Sequence, residues 1–190
     1  MSNSQLGADF KSYHELIQHF GQEVVDNAMR NLGVERRVRG KKRRAVATGT
    51  LRKSLRYQYN PQLGTLQFYA AGTANDYADF VEQGVNGTAV NQGSPYSFKS
   101  KYANIGAIKE WMKVKRIMAR DKDGKVLPQT EQRKNALAFV IARSVAKKGI
   151  APLHYWADAY DNQLEQFNDA ILEALVQDIN FVINHRKKTK

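Results

Sequence analysis

The sequence predicts an α+β fold: a small antiparallel β-sheet packed against long N- and C-terminal α-helices, with a helical insertion. Three observations predict it. Apolar residues recur at three- and four-residue steps through Phe10, Tyr13, Leu16, Ile17, Phe20, Val24, Ala28 and Leu32, the spacing of one helical face. Apolar and polar residues alternate along Leu55-Arg56-Tyr57-Gln58-Tyr59 and along Thr65-Leu66-Gln67-Phe68-Tyr69-Ala70, on either side of the turn Asn60-Pro61-Gln62-Leu63-Gly64. Trp156, Tyr160, Leu164, Phe167, Ile171, Leu175, Ile179 and Val182 then fall on one stripe of a long last helix.

In chain order, the first helix fills 10–33 and Gly33 is placed to stop it. Residues 34–48 form a basic arm. Its Val34, Val38 and Val46 are sparse and Gly40-Lys41-Lys42-Arg43-Arg44 has nothing to bury, so the arm is expected to be mobile and without local order until it meets a partner. Thr48 or Thr50 can cap a short helix or turn, and Gly49 supplies a conformation other residues resist. Leu51 and Leu55, four apart, bury together while Arg52, Lys53 and Arg56 stay wet. The hairpin is followed by a short helix over 76–83 ended by Gly84, and by a Gly-, Asn- and Ser-rich loop over 84–98. Helices over about 104–119 and 131–148 flank the turn Asp121-Lys122-Asp123-Gly124. The last helix occupies 151–184 and the basic tail 185–190 is expected to fray. A chain of 190 residues, 42% hydrophobic, supports one core, so a single domain is expected: helix 10–33, arm 34–48, sheet and short helix 49–98, helical insertion 99–150, last helix 151–184, tail 185–190.

The net charge of +12 is less informative than its distribution. Residues 34–56 carry ten Lys or Arg against one acid and 99–150 fourteen against four, whereas 57–98 and 151–184 carry no base and three and six acids. Solubility alone is served by interspersed signs, and blocks of alternating sign suit copies that pair with one another. No stretch approaches the ~20 apolar residues of a membrane span, and Met1-Ser2-Asn3-Ser4-Gln5 lacks the basic and apolar regions of a signal peptide, so synthesis and assembly in the cytoplasm are expected. Zero cysteines remove disulfides, thiolate nucleophiles and thiolate metal sites together.

Several segments in fixed order resemble the tail-completion or head–tail joining (neck) proteins of tailed bacteriophages. Thr48-Gly49-Thr50-Leu51-Arg52-Lys53-Ser54 is similar to that family's Thr-Gly-x-Leu-Arg-x-Ser. Tyr77-Ala78-Asp79-Phe80-Val81-Glu82-Gln83-Gly84 is similar to its Tyr-x-x-x-Val-Glu-x-Gly helix. Ser94-Pro95-Tyr96-Ser97-Phe98-Lys99, Ile108-Lys109-Glu110-Trp111-Met112 and the run from Ala138 to Ile150 resemble a subgroup with a helical insertion, and Gly149-Ile150-Ala151-Pro152 stands where many members open the last helix. The match covers roughly residues 10–165, and its matching positions are Thr48, Gly49, Leu51, Ser54, Tyr77, Val81, Glu82 and Gly84. It departs at Lys115-Arg116-Ile117, where Lys-Gly-Ile is usual, and at His154-Tyr155. The resemblance implies a virion structural protein in a homo-oligomeric ring, sixfold in the family, with other neck, connector or tail-tube proteins as partners and no cofactor.

Read without the family, Arg36, Arg37, Arg39, Lys41, Lys42, Arg43, Arg44, Arg52 and Lys53 are the candidate contact residues, for the acidic blocks of a neighbouring copy or for DNA. A basic nucleic-acid-binding protein of packaging or host takeover is the alternative function, with salt-dependent, non-specific contact, since no finger or ribonucleoprotein motif is present. Catalysis finds little support. His14 and His19 are five apart, which does not align two ligands on a helix, and His154 and His185 have no carboxylate pattern beside them. Asp121-Lys122-Asp123-Gly124 opens like a calcium loop without a third ligand or closing Glu. Asp158, Asp161, Glu165, Asp169 and Glu173 form a stripe that reads as the solvated or subunit-facing side of the last helix. The expectation is therefore a non-enzymatic virion subunit with no metal, whose segments 34–48 and 84–98 become ordered on assembly.

Overall fold

Residues 11–38, 41–44 and 49–188 are described by the computed structural model. The elements are α1 (Lys11–Gly33), β1 (Glu35–Val38), β2 (Lys41–Arg44), α2 (Thr50–Ser54), β3 (Leu55–Asn60), β4 (Thr65–Ala70), α3 (Asn75–Glu82), α4 (Ile105–Val114), α5 (Glu131–Lys148) and α6 (Tyr155–Lys188). The fold is α+β: long terminal helices, two-stranded antiparallel ladders and inserted helices. Their packing falls into two compact units, one gathering α1, β3, β4 and α6, the other the β1–β2 ladder and the stretch from Asp76 to His154.

In the first unit α1 buries Ile17, Phe20, Val24, Val25, Ala28 and Leu32, the face its periodicity announces. Each of these side chains but Ala28 contributes about 1.5–3 kcal/mol through removal from water, and the Ala28 methyl less. Phe20 stacks on Phe167 of α6 at 4.3 Å between ring centroids and meets Tyr160 edge-on. Opposite it, β3 pairs with β4 in the register Leu55↔Ala70 to Asn60↔Thr65, and the Ala71 N–H extends the ladder to the Ser54 carbonyl at 2.9 Å. The Asn60 side chain closes the turn by accepting from the N–H groups of Gln62 (3.0 Å) and Leu63 (3.2 Å). Tyr57 comes so close to α1 that a β-carbon on Gly21 would lie 2.6 Å from its ring, so this one position of the helix has room only for glycine.

The inner face of α6 differs from the stripe expected of it. Tyr155, Ala159, Ala174 and Asp178 are buried, whereas Tyr160 and Ile179 are exposed. Asp178 is 4% exposed and accepts hydrogen bonds from the Ser12 (3.1 Å) and Tyr13 (2.8 Å) N–H groups at the start of α1. It caps a helix more than 160 positions away, supplying the anion that the first turn of α1 lacks. Burial alone raises its pKa, but the hydrogen bonds from Tyr13 and Ser12, with His14 nearby, reverse this and hold it below the usual carboxylate range. The helix also runs past the expected end at 184 to Lys188.

The second unit is organised by a close crossing of two backbone segments. Val85 and Ile150 form an antiparallel bridge with both N–H···O bonds at 2.8 Å. A β-carbon on Gly149 would stand 2.2 Å from the Val85 carbonyl oxygen, and one on Gly87 2.3 Å from that of Lys147. Gly149 also has φ 72 and ψ −175, a combination open essentially to glycine alone. The crossing closes both helices that lead into it. The last four carbonyls of α5 accept in turn from Gly149 N (2.8 Å), Thr88 N (2.9 Å), Ala89 N (3.0 Å) and the Gln92 side chain (2.7 Å). At the end of α3, the Val81 and Glu82 carbonyls accept from the N–H groups of Leu153 and His154. The loop 84–98, expected to need a neighbour for order, is tied internally. The Asn86 side chain donates to the Ser94 carbonyl (2.6 Å) and Ser97 hydroxyl (3.2 Å) and accepts from the N–H groups of Gln92 (2.7 Å) and Ser94 (3.2 Å), while its backbone bonds Tyr96 and Phe98.

Two predictions follow from these contacts. Gly149→Ala should cost at least about 3 kcal/mol, because backbone collision adds to the forbidden φ/ψ, whereas Gly124→Ala, with φ 83 and open space around it, should cost about 1 kcal/mol. Equal shifts of the two urea midpoints would show that the crossing contributes nothing. Asp178→Asn should lose about 1–2 kcal/mol at pH 7. A depressed carboxyl pKa contributes stability above the unfolded value of about 3.9 and loses it as pH falls through the folded one, so the wild-type advantage should shrink towards pH 3. An undiminished difference between the two proteins at pH 3 would rule out the carboxylate as its source.

Candidate interaction surfaces

The sequence-predicted site residues divide between several surfaces. Arg36 and Arg37 lie on β1 and Lys41, Lys42, Arg43 and Arg44 on β2, while Arg39 and Thr48 are outside the described residues. The arm is thus not without local order: its described residues form an antiparallel ladder in the register Glu35↔Arg44, Arg36↔Arg43, Arg37↔Lys42 and Val38↔Lys41. Backbone hydrogen bonding supplies what burial could not. The register places Arg36 opposite Arg43 and Arg37 opposite Lys42 along a two-stranded ribbon, a unit that is marginal by itself.

Arg52 and Lys53 lie exposed on α2, in the other unit. The Arg52 guanidinium stands over Gly33, within 3.4 Å of where a β-carbon there would be, at the carbonyl end of α1, so it already has a structural role as a helix-end cation. Of the motif positions, Gly49 has φ 82 just ahead of α2, Leu51 is buried and Ser54 closes α2. Tyr77 is exposed on α3, Val81 and Glu82 are half-buried at its end, and Gly84, with φ 73, is buried in the crossing. The structure therefore brings Val81, Glu82 and Gly84 together with Ser94, Asn86 and the 149–152 segment, a set spread over some seventy positions of sequence.

The departure at Arg116 has a structural reading. It sits at the C-terminal end of α4 with φ 51, its N–H bonded to the Lys113 carbonyl (3.1 Å) and the Ile117 N–H to that of Met112 (2.9 Å). This is the Schellman closure, whose left-handed position normally takes glycine. It also ends the helix at Val114, short of the 119 expected from the sequence.

Between α4 and the start of α5 lies a cavity of about 590 Å³ that sequence reasoning missed. Met112, Ile117 and Met118 give it an apolar lining, and Lys109, Lys113, Arg116 and Lys134 ring it with cations. Lys113 pairs with Glu110 and Lys134 with Glu131, each at 2.7 Å. The hydrogen bond and charge of Glu110 raise the Lys113 pKa, and those of Lys134 lower that of Glu131. His14 is engaged with the Tyr59 hydroxyl, whose pKa is raised by burial and by Tyr13. Among the described residues no group of three or more His, Asp or Glu is arranged to hold a metal ion, and no helix is long and apolar enough to cross a membrane. Asp121 serves its own turn, accepting from the N–H groups of Asp123 (3.0 Å) and Lys125 (2.9 Å).

No family model, curated protein or solved structure matches the chain.

Replacing Arg116 by glycine tests the helix-end reading. Relief of about 1–2 kcal/mol of left-handed strain outweighs the extra unfolded-chain entropy of glycine, so Arg116→Gly should gain about 0.5 kcal/mol in thermal or urea unfolding. A loss of stability would mean that the Arg116 side chain does more at the cavity rim than its backbone strain costs.

Proposed function

We propose that the chain is a structural subunit of the neck of a tailed-bacteriophage virion, one copy in a ring that completes the tail or joins head to tail. The observation that carries the reading is the backbone crossing. The segments resembling the neck family, 77–84, 94–98 and 138–152, spend their polar groups on helix closure and loop closure at one place, which is architectural chemistry. What is left outward is suited to contact between large partners: a cationic ladder, a cation-rimmed cavity and the outer face of α6, which is acidic in its first half. Unlike surfaces on one subunit favour heterologous contact, which makes a ring when the rotation closes. Negative-stain electron microscopy of the concentrated protein should reveal closed rings of one size, and charge-removing substitution of Lys41, Lys42, Arg43 and Arg44 should abolish them. Rings that persist without those four cations would sink the role given to the ladder, and no rings under any condition would sink the proposal.

The cation-against-cation ladder also favours a second reading, a non-specific nucleic-acid binder. Each phosphate neutralised adds about −0.9 to the slope of log affinity against log salt, so three to six contacts give roughly −3 to −5 on duplex DNA. A slope near zero would leave the ladder to a protein partner.

A further inference from the structure

The outside of α6 exposes an aliphatic row, Leu172, Val176, Ile179 and Ile183, but the cavity between α4 and the start of α5 sets apolar surface and charge together and so specifies the chemistry of what enters it. Its floor is made by Met112, which is buried, Ile117, which is half-buried, and Met118, which is 41% exposed. Methionine is unbranched and polarisable, and a floor with two of them adapts to apolar side chains of different shape. Around the floor stand Lys109, Lys113, Arg116 and Lys134 with Glu110 and Glu131. Glu110 is taken by Lys113 and Glu131 by Lys134, each within one turn of its own helix. The Lys109 charge reaches Glu131 only through space, and the Arg116 guanidinium makes no hydrogen bond or ion pair among the described residues. The rim therefore keeps two cations that nothing in the subunit neutralises.

We infer that this cavity binds an acidic amphipathic peptide segment of a partner protein, which places a large apolar side chain on the Met112–Ile117–Met118 floor and carboxylates against the rim. Its volume of about 590 Å³ lies within the range of roughly 300–1,000 Å³ usual for ligand sites. The distribution of charge selects among anions. Lys109, Lys113 and Arg116 span about 10 Å along α4 and its closing turn, and Lys134 stands on α5, so the cations address several anionic groups rather than one. A single-headed amphiphile satisfies one end of that row and leaves the other. A nucleic acid carries enough phosphates, but the described lining holds no aromatic ring on which a base could stack, and the methionine floor would go unused. An acidic helix with apolar anchors three or four apart uses floor and rim together, the mode in which amphipathic segments fill grooves. The inference does not depend on the ring, and rings without peptide binding, or peptide binding without rings, separate the two.

Fluorescence anisotropy with the full-length protein tests it. The probe is a fluorescein-labelled peptide of about twelve residues, glutamates with two leucines four apart, long enough to cross the cavity as a helix. A Kd of about 10–100 μM is expected. Met118→Glu, at an exposed position, should abolish binding while leaving the helical circular dichroism unchanged. Lys109→Gln combined with Arg116→Gly, which keeps the left-handed closure of α4, should weaken it by about tenfold or more. Lys122→Gln, in an exposed turn outside the cavity lining, should leave it unchanged. The same peptide with its leucines replaced by serine should bind at least about tenfold more weakly. No binding of the leucine peptide up to about 1 mM overturns the proposal. So does equal binding of the serine peptide, or a loss with Lys122→Gln as large as with the double variant, since charge alone would then act. Duplex DNA that displaces the peptide at lower concentration would make the cavity a nucleic-acid site, and dodecanoate binding where the peptide does not would make it a site for a single-headed amphiphile; either result overturns the peptide assignment.

Discussion

Main-chain groups at the ends of buried or half-buried helices must find partners, and in this chain they find them at long range. The second unit depends on one place where two backbone segments touch without side chains between them. Glycines at 84, 87 and 149 let the Val85 and Ile150 strands approach to hydrogen-bonding distance, and that approach brings Thr88, Ala89 and Gln92 under the last carbonyls of α5. Leu153 and His154 reach the end of α3 from the same crossing. Had any of these carbonyls been left buried and unpaired, each would cost about 1–3 kcal/mol, so the loop 84–98 is held by the helices it closes as much as they are held by it. The first unit solves the same problem with charge, by placing the Asp178 carboxylate under the first N–H groups of α1.

Asp178 stands apart from the general use of charge. Most acids and bases are segregated by element, the bases on β1, β2, α4 and α5 and the acids along α6. The pairs at Glu110–Lys113 and Glu131–Lys134 are local to one helix turn and well exposed, and such pairs contribute little to stability. The ladder is the sharpest instance of this segregation, with Arg36 opposite Arg43 and Arg37 opposite Lys42 in its register.

What the sequence made legible was what local period controls. The N-terminal helix, the β3–β4 hairpin with its turn, the 131–148 helix and the α+β class all follow from spacing and from turn residues. What it hid depends on partners far away in sequence. Asn86 reads as one more polar loop residue, and only the fold brings Ser94, Ser97 and Gln92 to both ends of its amide. Asp178 belongs to neither the apolar nor the acidic stripe read from the sequence and Ile179 reads as core, whereas the fold buries the first and exposes the second. The arm reads as structureless because it has nothing to bury, yet backbone pairing does not require burial. Arg116 hid the end of α4 because the left-handed turn there is made by a residue that seldom adopts it.

A helix that is apolar on two faces carries a constraint on everything attached to it. The inner face of α6 is fixed by α1, so its outer apolar half either faces water or faces protein. Water is the expensive choice: four large aliphatic side chains in a row form a contiguous patch of the sort that marks interaction sites, and a design for solubility alone would have continued the acidic residues of the first half of the same line.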